Sequence, residues 1–164
     1  MIPDRRRRWS KGNDYPPAED VAEWLVVDSG AMEHLEVTSD GFATTRPTGV
    51  EISTVVEGDP VRCDFEGWHE VYVLAGAPDF QVVVIGRPRT VCCPRAGCSL
   101  FSVRAFIQES GGSVHFDAAP RILLSDGSQV PFFLVADRYA LARFRTLQAA
   151  QRASDRMRAS QRLA

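Results

Sequence analysis

A chain of 164 residues, 45% hydrophobic and 24% charged, is one ordinary globular domain, long enough to bury about two-thirds of its unfolded surface. Its apolar runs are all shorter than the ~18 residues a membrane helix needs, and its basic start has no apolar stretch behind it. Neither a transmembrane span nor a secretory signal is expected, and a cytoplasmic protein with reduced thiols is. The net charge of −2 conceals a sorted distribution. Met1 to Gly12 is strongly basic, with Arg5, Arg6, Arg7, Arg8 and Lys11 against Asp4. From Ala136 onward seven arginines face only Asp137 and Asp155, whereas Asn13 to Val135 sets eighteen acids against seven arginines. Two basic ends on an acidic body speak about partners rather than fold.

Residues 1–19 read as a basic extended arm. A charge run is followed by Gly12, Asn13, Asp14 and Pro16-Pro17, and the proline pair favours extended backbone. Trp9 and Tyr15 are the large apolar groups able to dock it.

Residues 20–135 read as a β-rich domain. Trp24 to Val27 is a short apolar run ending at Asp28-Ser29-Gly30, and His34 to Thr38 follows up to Asp40-Gly41. Val50, Ile52, Thr54 and Val56 alternate and are mostly β-branched, which suits a half-buried pleated surface. Further strands are expected at Val71–Leu74, Gln81–Ile85, Thr90–Cys93, Leu100–Ile107, Val114–Phe116 and Ile122–Leu124. Turn signals separate them at Ala75-Gly76-Ala77-Pro78, Gly86-Arg87-Pro88, Gly111-Gly112 and Asp126-Gly127. Many short strands at this spacing predict a mainly β protein, an antiparallel sandwich or barrel-like body.

Residues 136–164 read as an amphipathic basic helix. Ala136, Ala140, Phe144, Leu147, Ala150, Ala153 and Met157 recur at steps of three and four, one stripe of a helix. Arg138, Arg145, Arg152, Arg156 and Arg162 fall near one opposite face.

Chemistry-bearing motifs are sparse. Cys92, Cys93 and Cys98 cluster, with Cys63 upstream. A zinc site would need a second short-spaced pair, or Cys63 with His69 closing it from another strand. A Cys93–Cys98 disulfide is a second reading. The third is that Cys92 and Cys93 end one strand, Pro94 to Gly97 turn into the next, and the thiols pack as small apolar groups. Ser113 and His115 share a strand face but lie in no nucleophile-elbow sequence, and His69 and Glu70 point to opposite faces. Asp64 and Glu66 share a face that could hold a cation or be a solvated edge. No phosphate loop and no dinucleotide glycine fingerprint occurs, so no cofactor, no metal and no catalysis are expected.

Asp64-Phe65-Glu66-Gly67-Trp68-His69-Glu70-Val71, followed by Ala96-Gly97-Cys98-Ser99-Leu100-Phe101-Ser102-Val103-Arg104, resembles a pattern of small β-rich actinobacterial proteins. Val26-Val27-Asp28-Ser29-Gly30 is similar to theirs as well. The resemblance spans roughly Trp24 to Phe106 and implies a β fold without an activity.

The expected function is non-enzymatic protein–protein interaction. It is either an inhibitor or immunity-like binder whose acidic body captures a basic partner, or a subunit of a phage- or injection-particle-like assembly built from sister chains. The alternative is nucleic-acid binding through the ends: Arg5, Arg6, Arg7, Arg8 and Trp9 on the arm, and Arg138, Arg145, Arg152 and Arg156 near the carboxyl terminus.

Overall fold

The computed structural model describes residues 20–53 and 60–163, and the expected basic arm, residues 1–19, lies outside them. The body is mainly β. A seven-stranded mixed sheet carries the order β11-β12-β1-β7-β2-β6-β5. Its members are β1 (Glu23–Asp28), β2 (Leu35–Glu36), β5 (Phe65–Leu74), β6 (Val82–Cys92), β7 (Leu100–Ser102), β11 (Phe133–Val135) and β12 (Arg138–Arg143). A second sheet of three antiparallel strands is formed by β8 (Ser113–His115), β9 (Arg121–Leu123) and β10 (Gln129–Pro131). A small hairpin pairs β3 (Glu51–Ile52) with β4 (Val61–Arg62). The rest of the expected strand through Thr54 and Val56 lies outside the described residues.

Alternation along the strands builds the core. Leu25 and Val27 on β1, Val71 and Val73 on β5, Val83 and Ile85 on β6, Phe101 on β7 and Leu141 on β12 share one face. Ile122 and Val130 of the small sheet close over them, giving a two-layer, sandwich-like body. The large sheet curls far enough for the Phe144 N–H to donate to the Tyr72 carbonyl at 2.9 Å, a single bridge that leaves the barrel unclosed. Two ladders are parallel, β1 with β7 and β2 with β6, where the turn spacing alone suggested antiparallel pairing throughout. β2 is inserted between β6 and β7 and runs parallel to the first and antiparallel to the second.

Three elements differ from the sequence reading. Gly86-Arg87-Pro88 is not a turn but the middle of β6, paired with β5 in a long hairpin. Gly86 is required by packing, because a Cβ there would come within 2.5 Å of the Trp68 ring. Pro88 sits where the register slips between Gly67 and His69, a bulge at which a missing N–H breaks no ladder bond. Leu100–Ile107 is not one strand. After β7 the chain turns into α1 (Val103–Ser110), because the Ser102 hydroxyl caps it by accepting the Ala105 N–H at 3.0 Å.

The carboxyl-terminal helix, α2 (Leu147–Arg162), starts eleven residues later than Ala136. Residues 138–143 are β12, paired with both β1 and β11, and belong to the β body. Ala136, Ala140 and Phe144 stand four apart, and a step of four falls on one face of a strand as well as of a helix. The true helical stripe begins afterwards. Ala150, Ala153 and Met157 pack on Leu74, Phe80 and Phe144, and the Thr146 hydroxyl caps the helix by accepting the Ala149 N–H at 3.0 Å. No helix among the described residues is long and apolar enough to cross a membrane.

Candidate functional site

The inner face of the large sheet ends in charge. One strand step beyond its apolar residues lie His69 on β5, Arg87 on β6, Arg143 on β12 and Glu23 on β1, with Glu36 on β2 among them. Arg87 is fully buried, and Glu36, His69 and Arg143 nearly so. The Glu36 carboxylate accepts from Arg87 Nη2 at 2.8 Å and from Arg143 Nη1 at 2.7 and 2.8 Å. Arg143 also donates to Glu23 at the exposed rim. Burial pushes the Glu36 carboxyl up, but the two guanidiniums outweigh it and hold the group below the usual carboxylate range.

Arginine has no acceptor, so His69 Nδ1 must accept from Arg87 Nη2 at 2.7 Å. The ring proton therefore sits on Nε2 and is donated to the Asp40 carbonyl at 3.1 Å. Burial, and then Arg87, push the His69 pKa down to about 4. His34 is held neutral in the same way: its Nδ1 accepts the Ser102 N–H at 3.0 Å, and burial pushes its pKa down to about 2. Arg87 Nε and Nη1 find no hydrogen-bond partner among the described residues. No member of this cluster lines either of the two large cavities. It is a buried polar end to the core that ties β2, β5, β6 and β12 together.

The other sequence candidates are placed as follows. Ser113 Oγ lies 2.9 Å from His115 Nε2. The nearby Asp117 carboxylate accepts from Arg121 Nη1 at 2.9 and 3.0 Å and from the Ala119 N–H at 2.9 Å. It is engaged by those donors. Asp64 is exposed, whereas Glu66 is buried and accepts from Arg46 Nη2 at 3.0 Å and Arg89 Nε at 2.9 Å, so the two acids are not joined in one site. Cys92 ends β6, and Pro94–Ala96 form a 3-10 turn into β7. Cys63 and Cys93 pack together in a buried apolar cluster, and burial, with a hydrogen bond from the Cys63 thiol to Cys93, pushes the Cys63 thiol up to about 12.

Of the arginines, Arg5 to Arg8 and Trp9 lie outside the described residues. Arg138 is on β12, Arg145 precedes α2, and Arg152 and Arg156 are on α2. They do not form a single helical face, because β12 occupies the residues that the stripe assigned to helix. Arg156 donates to both oxygens of Asp20, at 2.8 and 2.6 Å.

The opposite, outer face of the large sheet carries the feature that sequence reasoning missed. Val26, Leu100, Leu35 and Val91 are register neighbours across β1, β7, β2 and β6, a continuous apolar row. The β3–β4 hairpin covers one flank of it with Val50, Ile52 and Val61. The remainder floors an open groove of about 1200 Å³. Its rim holds Asp28, Glu33, Glu51 and Asp137 against Arg95 and Arg138. Arg95 is directed to the Arg62 carbonyl at 2.9 Å. Met32, 61% exposed, stands at the edge. Asp137 and Arg138 reach the rim on the β11–β12 turn, where Ala136 and Asp137 adopt φ of 49° and 63°. A periodicity search could not assemble this site, since its floor comes from four separated strands. The available signal was the apolar parity of Val26, Leu35, Val91 and Leu100 on strands already filled on their inner face.

Comparison with protein-family models, curated proteins and solved structures finds no match to this chain.

Proposed function

We propose that the protein is a non-enzymatic protein–protein interaction module, a binder or an assembly subunit, whose acid-rimmed apolar groove receives a basic segment of its partner. The observation that carries this reading is the groove. Val26 and Leu100 are only half-buried on its floor and Met32 is exposed at its edge, and the rim carboxylates Glu33 and Glu51 favour an arginine-bearing occupant. The non-enzymatic part rests on the sealing of the Glu36–Arg87–His69 cluster and on the engagement of Asp117 by Arg121.

The test is a titration of a dye-labelled peptide of sequence Arg-Arg-Arg-Arg-Trp-Ser into the full chain at ~50 mM salt, followed by anisotropy. Saturable binding that weakens at least about fivefold in a Glu33→Lys, Glu51→Lys variant, and again in ~0.5 M salt, is expected. Absence of saturation, or equal binding by the variant, would refute the groove as a binding site.

Nucleic acid is the rival occupant of the basic ends. Arg145 and Arg152 are exposed near one end of α2. Against it, Arg46, Arg89, Arg121, Arg143 and Arg156 are all ion-paired to carboxylates of their own chain. Binding of a single-stranded oligonucleotide that survives the groove variant and disappears on Arg5–Arg8 replacement would favour that rival.

A further inference from the structure

Resting on the assembly form of the groove reading above, we infer that the groove's partner is a second copy of this chain. The two copies dock groove to groove about a two-fold axis, with Arg138 of each against Glu33 and Glu51 of the other and Met32 of each over the other's apolar floor. Three observations lead there.

The first is self-complementarity. A two-fold contact presents the same residues twice, so the patch must complement itself. This groove carries both signs of charge, in Glu33, Glu51 and Arg138, and an apolar floor on which Val26 and Leu100 are half-buried. Met32, exposed at its edge, is an unbranched side chain that adapts to such a floor. The second is that these charges are unpaired. Glu33, Glu51 and Arg138 line one groove, yet none makes an ion pair or a side-chain hydrogen bond among the described residues. Their neighbours on the rim are engaged: Arg95 donates to the Arg62 carbonyl, and the Asp28 carboxylate accepts the Gly30 N–H at 2.7 Å. The third is presentation. Arg138 follows directly on the turn between β11 and β12, in which Ala136 and Asp137 are left-handed. Residues 136–138 are all exposed. A guanidinium carried at the end of a paired hairpin has its backbone ordered before docking, which lowers the entropic cost of the contact. Each copy therefore gives an arginine to the other's carboxylates and receives one on its own, and the contact closes at two copies.

The experiment is sedimentation equilibrium of the full chain at ~50 mM and ~0.5 M salt. It compares the intact protein, a Glu33→Lys, Glu51→Lys variant, an Arg138→Glu variant, and a chain carrying all three changes. Each change lies on the groove rim, and unchanged unfolding by urea verifies that each variant folds. The intact chain is expected to dimerise, at least about fivefold more weakly in the higher salt. The first two variants are each expected to dimerise at least about tenfold more weakly than the intact chain, because like charges then face each other across the axis. The chain with all three changes, in which the signs are exchanged, is expected to recover the dimer. So is an equimolar mixture of the first two variants, which complement one another. An intact chain that is monomeric at both salt concentrations overturns the second copy as partner. If that monomer binds the Arg-Arg-Arg-Arg-Trp-Ser peptide the groove reading stands, and if it does not, both fall. A dimer that the variants leave unchanged lies on another surface and overturns the contact. So does a folded chain with all three changes that stays monomeric.

Discussion

Mild acid should destabilise this protein strongly, at a pH where most globular domains lose little. Two buried imidazoles set the effect. His69 is pushed down to about 4 and His34 to about 2, each from an ordinary value of 6.5. A histidine whose folded pKa is depressed is neutral in the native state and takes up a proton on unfolding. Its contribution is therefore complete above 6.5 and is lost as pH falls towards the folded value. Both rings are nearly fully buried, so little solvent screening applies. Between pH 7 and pH 5 each loses about 2 kcal/mol, and the pair about 4 kcal/mol. Below about 4.5 Glu36 adds to the loss, because its carboxyl is held under its ordinary range by Arg87 and Arg143. A total near 4 kcal/mol is a large part of the ~5–15 kcal/mol a domain possesses. The assay is urea unfolding followed by tryptophan emission at half-unit steps from pH 7.5 to 4.5, with the slope of the transition monitored for constancy. His69→Gln, whose amide oxygen can still accept from Arg87, should remove about half of the pH dependence between 6.5 and 5. Stability at pH 5 within about 1 kcal/mol of that at pH 7 would refute the neutral, buried assignment of both rings.

Three further outcomes can be checked by the same unfolding measurement at pH 7. Glu36→Gln leaves Arg87 and Arg143 without their shared carboxylate in a buried place and should cost about 3–5 kcal/mol; a loss under 1 kcal/mol would show that the cluster is hydrated. Ala136→Gly relieves a left-handed alanine at φ 49° and should stabilise by about 1 kcal/mol, raising the melting temperature by about 2–4 °C. Gly67→Ala sets a Cβ 1.8 Å from the Thr44 carbonyl oxygen, which forces the backbone apart and should cost about 3 kcal/mol.

The β body was readable because alternation and turn residues agree over most of it: Leu25 with Val27, Val71 with Val73 and Ile122 each announce a covered face. The errors have specific physical origins. Ala136, Ala140 and Phe144 satisfy strand and helix periods at once, and the deciding contact, β12 against β1, joins residues more than a hundred apart. Gly86 and Pro88 carry turn chemistry but serve a ring contact and a bulge. Ser102 lies within an alternating run, and only its capping bond to Ala105 reveals the helix start. The charge cluster was hidden for a related reason. Glu36 and Arg143 are 107 positions apart, and nothing local marks either as buried. Their parity with Leu141 and Leu25 does so only once the register is known.

The sorted charge of the sequence divides on folding into a spent half and an unspent half. Three of the seven arginines of the carboxyl-terminal region are engaged at home: Arg143 by Glu36 and Glu23, Arg156 by Asp20, and Arg158 by the Asp79 carbonyl at 2.6 Å. These contacts dock α2 and β12 on an acidic body, and the pairs that sit at the surface add only tenths of a kcal/mol each. Glu33 and Glu51 on the groove rim belong to the other half. Glu33 and Glu51 stand over an apolar floor where a guanidinium pair, partly shielded from water, is stronger than one on open surface. On the proposed reading, the carboxylates that attract a basic partner are those of the groove rim and not those that dock α2 and β12. Neutralising the rim should therefore change partner binding and its salt dependence while leaving unfolding by urea unchanged. Neutralising Glu36 should do the reverse.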